Sequence, residues 1–141
     1  MKRSFLGVAT ASVLALSVLT LTAQDKKKFD PTKLPPASTQ TGVTFEKDIK
    51  PIFEKSCTKC HGAEKPKSKL DLTTLATVIK GGKNAPDVVA GKSAESPLVY
   101  AVAHAGDEDD FMPPPDNKAK IPPLTKEQVG LIRAWIDQGA K

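Results

Sequence analysis

Beyond the N-terminal stretch, apolar residues recur at helical rather than strand spacing. Phe45, Ile49, Ile52 and Phe53 follow the i, i+4, i+7, i+8 rhythm of one helix face, and Thr44 stands before them as an N-cap. Pro51 falls inside that pattern. It has no amide donor and its ring crowds the preceding turn, so the helix is expected to kink or restart just before Cys57. Thr73 or Thr74 can cap a short helix running to Lys80, which Gly81-Gly82 ends with a positive φ; Leu70 to Leu75 reads either way. Ser96-Pro97 has the form of an N-cap followed by a first-turn proline, for a helix through about His104. The last element is the clearest. Thr125 and Gln128 form a capping box, Leu124 and Val129 sit at the positions of a hydrophobic staple, and Gly139 ends the helix. Val129, Ile132 and Ile136 share one face with Trp135 beside them, a stripe able to pack on the Phe45/Ile49 helix. No segment alternates cleanly with period two, which argues against a sheet. The pattern predicts a small all-α domain over 44–141 with long proline-rich loops.

The N-terminal residues break this rhythm. Lys2 and Arg3 precede an uncharged apolar run from Phe5 to Leu21, the form of a secretory signal peptide over 1–23, which implies a periplasmic or otherwise exported protein. The run also approaches the ~18–20 residues that span a bilayer, so an uncleaved anchor facing the periplasm is the alternative, and membrane contact is expected only then. Residues 24–43 hold Lys26-Lys27-Lys28, Pro31, Pro35-Pro36 and a Ser/Thr/Gln run, with Phe29 and Leu34 as the only large apolar side chains. That composition predicts a disordered linker.

Charge narrows the partners. The chain of 141 residues carries 21 Lys+Arg against 16 Asp+Glu, enough length for one small domain and too weak a basic excess for nucleic-acid binding. Arg133 is the only arginine after Arg3. The charges are unevenly placed, with Lys55, Lys59, Lys65, Lys67 and Lys69 around the two cysteines and Asp107-Glu108-Asp109-Asp110 further on. One reading is steering of an acidic partner protein; the other is a pair of ordinary solvated loops.

The cysteines carry the chemistry. Cys57-Thr58-Lys59-Cys60-His61 is C-x-x-C-H, the attachment signature for c-type haem. Two cysteines three apart on a helical turn point to one side, so both sulfurs can reach the vinyl groups on one porphyrin edge, and the adjacent imidazole can turn beneath the ring to the iron. A Cys57–Cys60 disulfide would not need His61 and would close a very small loop. A thioredoxin-like pair would need a βαβ setting. A zinc site would have to use Cys57, Cys60, His61 and His104, with awkwardly adjacent Cys and His ligands. Haem iron has a second axial position. Met112 is the only methionine after the leader and lies in Phe111-Met112-Pro113-Pro114-Pro115, where prolines stiffen the backbone. It is the favoured sixth ligand, with His104, a lysine or an open, water-filled position as alternatives.

The sequence resembles the small monohaem cytochrome c domains of planctomycete type, related to class I cytochromes c. The resemblance rests on Val43-Thr44-Phe45, Asp48 through Phe53, Cys57 through Gly62, Leu70-Asp71-Leu72, Gly81-Gly82, Val89 through Ser93, Ser96 through Val99, Met112-Pro113-Pro114 and Leu124 through Ala140. It implies a helical fold wrapped round one haem, the first and last helices crossing, with one haem c bound covalently through Cys57 and Cys60 and His61 and Met112 as axial ligands. It also implies an electron carrier for exported redox partners, with no substrate altered at the iron and hence no enzymatic role. In related cytochromes a proline carbonyl orients the proximal imidazole, and Pro66 is the candidate here. Burial of the ring is expected from Phe45, Phe53, Tyr100, Phe111 and Trp135, raising the potential. The competing functions are a haem sensor or peroxidase-like enzyme with an open distal site, and an assembly subunit whose haem is structural.

Overall fold

In the computed structural model, which describes residues 29–141, four helices form: α1 (Lys50–Ser56), α2 (Leu75–Lys80), α3 (Pro97–Val102) and α4 (Lys126–Asp137). Short 3-10 turns join them, and no strand occurs among the described residues, as the absence of period-two patterning predicts. The leader or anchor expected at 1–23 lies outside the described residues.

Two helix starts are written by hydroxyl caps. The Thr125 side chain accepts from the Gln128 amide and the Gln128 side chain accepts in return from the Thr125 amide, and Thr74 and Thr77 repeat the exchange at α2. Gly81, at φ +73°, ends α2. The other two starts differ from expectation. Thr44 makes no capping bond with its own side chain; the Asp48 carboxylate instead accepts from the Thr44 amide at 2.8 Å. The turn Phe45–Ile49 is π-helical and α1 begins immediately after it, so the restart falls before Pro51 rather than before Cys57. Pro51 thereby occupies the first turn, where a missing amide proton costs nothing. At α3 the Ser96 hydroxyl accepts from the Val89 amide at 2.9 Å and donates to the Lys92 carbonyl at 3.0 Å instead of capping. That helix stops at Val102, and His104 leaves it with φ +51°.

The core forms where α4 meets the Phe45–Ile49 turn. Val129, Ile132, Trp135 and Ile136 are buried, the Trp135 ring lies 5.8 Å from Phe45, and Phe45 meets Phe53 edge-on at 6.1 Å. Two bonds to one carbonyl close the seam: Phe45 N and the Trp135 indole Nε1 both donate to the Lys141 carbonyl, at 2.8 and 3.0 Å. Asp137 of α4 accepts from the amide and hydroxyl of buried Ser93 at 2.8 and 2.9 Å, pinning the loop that leads into α3.

Residues 29–43 do not form the expected linker. They run along α4 as a strap: Leu34 is buried in the core, Ser38 N donates to the Gly130 carbonyl at 2.9 Å, the Arg133 guanidinium donates to the Pro35 carbonyl, and Gln138 Nε2 donates to the Gln40 carbonyl at 2.8 Å. Phe29 stacks on Tyr100 with ring centroids 4.2 Å apart. Most of these bonds use main-chain groups, so polar, proline-rich composition is no obstacle to them. Gly130 is what admits the strap, because a Cβ there would stand 2.8 Å from the Pro36 carbonyl oxygen. Alanine in a helix interior normally gains about 1 kcal/mol over glycine. Here the strap is held on both sides of the contact, and overpacking costs about 1–3 kcal/mol. Gly130→Ala is therefore expected to lower the urea midpoint, where a free helix surface would raise it.

Candidate functional site

The last turn of α1 delivers the first cysteine. Cys57 N bonds the Phe53 carbonyl at 2.7 Å, and Cys60 N and His61 N both bond the Cys57 carbonyl, at 3.0 and 2.9 Å, so the five-residue motif curls into one tight turn. Gly62 lets it close, since a Cβ there would sit 2.6 Å from the Thr58 carbonyl oxygen. Cys57 and His61 are buried and Cys60 half-buried.

These side chains face a cleft of about 1190 Å³. Cys57, Cys60 and His61 line it, and so does Met112, which approaches along a different segment of chain. The Met112 amide donates to the Ala101 carbonyl at 3.0 Å, seating the proline run against the end of α3. Beyond it, Asn117 Nδ2 donates to the Pro114 and Ile121 carbonyls at 2.8 and 2.9 Å while its Oδ1 accepts from Ile121 N at 2.8 Å, fixing the far side of the loop.

The imidazole of His61 is oriented by one bond. Nδ1 lies 3.2 Å from the Leu70 carbonyl oxygen. A carbonyl only accepts, so Nδ1 carries the proton and Nε2 is left with a lone pair, the arrangement a metal-ligating histidine requires. The partner is Leu70 rather than the expected Pro66. Ser68 and Lys69 adopt positive φ (52° and 59°), which reverses the chain and brings Leu70 back to the ring. No side-chain pattern marks a carbonyl donated this way, and two consecutive left-handed non-glycine residues are not legible from sequence.

Other expectations are redistributed. Of the five aromatics expected round a ring, Phe53 and Tyr100 line the cleft and Phe29 joins them, whereas Phe45 and Trp135 form the core behind it. Phe111 stacks on His104 at 4.4 Å, and neither lines the cleft. His104 Nε2 instead lies 3.1 Å from the Pro113 carbonyl oxygen. Lys55, Lys59, Lys65, Lys67 and Lys69 are all exposed.

The donor set suits a covalently held macrocycle. Both cysteines are free thiols, and burial, with Cys60 as a lesser contribution, pushes the Cys57 thiol up to about 12. A thiol held protonated is a poor redox nucleophile. Among the described residues no group of three or more His, Cys, Asp or Glu side chains is placed to hold a metal ion, so Cys57, Cys60, His61 and His104 are not gathered as a zinc site would need. The cleft exceeds the ~300–1,000 Å³ usual for small-molecule pockets. It is roomy enough for a porphyrin-sized group, with the two thiols, one imidazole and one thioether on its walls.

Comparison with known families gives a match over residues 57–116 to the family described as Planctomycete cytochrome C. No curated protein and no solved structure matches the chain.

Proposed function

From the premise that residues 57–116 are of planctomycete cytochrome c type, we propose that this protein is an exported electron carrier with one c-type haem. Cys57 and Cys60 would hold the haem covalently, and His61 and Met112 would be its axial ligands. When bound, the haem supplies a one-electron ferric/ferrous couple. The observation that supports this most is the convergence of the C-x-x-C-H turn and the Met112 loop, far apart in sequence, on the same cleft.

The chain's own residues account for the rest. Leu70 fixes the His61 tautomer, leaving Nε2 with its lone pair on a ring that lines the cleft. Phe53, Tyr100 and Phe29 give it apolar aromatic walls. A thioether donor and an apolar lining both favour the less charged ferrous state, so the potential is set relatively high. Met112 would hold the iron opposite to His61, which would disfavour exogenous ligands and separate a carrier from a sensor or peroxidase. The exposed lysines near the motif suit a redox partner with an acidic surface.

The test is the absorption spectrum of the exported protein, oxidised and reduced, with and without carbon monoxide. Low-spin spectra are expected, with the weak long-wavelength band that methionine sulfur gives on ferric haem and no response to carbon monoxide. Met112→Ala is expected to lose that band, to gain carbon monoxide binding and to lower the midpoint potential. A high-spin spectrum that shifts with carbon monoxide in the unmutated protein would make the open-site function primary, and absence of haem would return Cys57 and Cys60 to thiol chemistry.

A further inference from the structure

We propose that His104 is a positioning residue that holds the Met112 loop shut over the cleft; this rests on the reading of Met112 as an axial ligand. The loop is seated on α3 by two bonds that flank Met112. The Met112 amide donates to the Ala101 carbonyl at 3.0 Å, and the next residue's carbonyl, on buried Pro113, accepts from His104 Nε2 at 3.1 Å. A carbonyl cannot donate, so Nε2 bears the proton. The ring is aimed by its surroundings. His104 leaves α3 at φ +51°, its amide stays bonded to the Ala101 carbonyl at 3.3 Å, and Phe111 lies flat against it at 4.4 Å with an interplanar angle of 8°. The Ala101 carbonyl thus receives the amides of both His104 and Met112, coupling the end of the helix to the loop.

Prolines at 113 to 115 have no amide hydrogens to bond back to the fold. Beyond the Met112 amide, the proline run can be held to the domain only through what its carbonyls accept and through packing, and His104 is the side chain serving the carbonyl of Pro113, next to Met112. Neither His104 nor Phe111 lines the cleft, so their role is exerted through Met112 and not on a bound group.

An external ligand such as imidazole reaches the iron only when the Met112 loop opens, and its apparent affinity scales with the population of that open form. His104→Phe keeps a ring against Phe111 and removes the donor. It is expected to raise the apparent affinity of the ferric holoprotein for imidazole up to about tenfold, the effect of losing one partly buried hydrogen bond, with loss of the methionine–iron band tracking imidazole binding. His104→Gln restores a donor and is expected to recover most of the difference, which a merely structural role would not require. Phe111→Leu, which strips the ring His104 lies on, provides a milder second variant expected to raise affinity by about threefold. Unchanged imidazole affinity in His104→Phe, or in Phe111→Leu should the first variant not fold, overturns the proposal while leaving Met112 ligation intact. An unmutated ferric protein with no methionine–iron band overturns the reading beneath it, and the role of His104 with it.

Discussion

Replacing Cys57 and Cys60 together by alanine is expected to leave a chain with no covalently held haem and no cooperative unfolding transition. The reason is the size of the cleft relative to the domain. A cleft of about 1190 Å³ is a large share of what so short a chain encloses, and a small domain built round a cofactor leans on it, because the net stability of an ordinary domain is only about 5–15 kcal/mol. Two core elements are committed to the wall, since Phe53 and Tyr100 are buried against the rest of the core on one side and line the cleft on the other. Far-ultraviolet circular dichroism and thermal melting of the double variant check this, with acid extraction to show whether any haem stays attached. A sharp two-state melt at the unmutated midpoint without haem would mean that the domain carries its own core and that the cleft is incidental to stability.

Trp135→Ala is expected to destabilise the holoprotein by about 3–5 kcal/mol, the range for removing a fully buried aromatic side chain. Trp135 is 0% exposed, touches Phe45 at 5.8 Å and donates from Nε1 to the Lys141 carbonyl at 3.0 Å. It therefore supports three things at once: the α4 face, the turn that launches α1, and the C-terminal backbone. With a urea m-value of about 1–3 kcal/mol per M, the midpoint is expected to fall by more than about 1 M. Trp135→Phe separates the parts, since it retains most of the packing and loses only the hydrogen bond, an effect of about 1 kcal/mol. Because Trp135 does not line the cleft, the spectrum of whatever fraction folds is expected to be unchanged.

Elements declared by side chains were legible in the sequence. The capping box at Thr125 and Gln128, the Thr74 cap, the Gly81 stop and the apolar stripe through Ile132 and Ile136 all reach the structure as expected, because each is a local pattern with a local physical cause. Features made by main-chain groups were not. The strap over 29–43 is hidden by polar, proline-rich composition, yet it leaves a trace in Gly130, in the middle of an otherwise favourable helix, where glycine is unfavourable unless another backbone comes close. Arg133 was a second trace, an isolated arginine on α4 that reaches both the Pro35 carbonyl and Ser93 Oγ. The partner of His61 was missed because the choice between the carbonyls of Pro66 and Leu70 is made by the backbone of Ser68 and Lys69. The sequence offers His104 as a ligand or as a residue of a helix's last turn; α3 ends two residues sooner than the Ser96-Pro97 signal suggests, and the His104 ring bonds the Pro113 carbonyl outside the cleft lining.

Where the strap begins governs how the cleft can meet other molecules. Phe29, the first described residue, lines the cleft, so the strap begins at the cleft and not on the opposite side of the domain. Five residues, 24–28, separate it from the apolar segment at 1–23. Fully extended, five residues reach about 18 Å. Were that segment kept in a bilayer, so short a leash would hold the edge of the cleft close to the lipid surface, and the electron carrier proposed above would be restricted to partners embedded there. Cut free, the same edge would be open to partners arriving from any direction, so one proteolytic event would decide between a resident of the membrane plane and a diffusing shuttle.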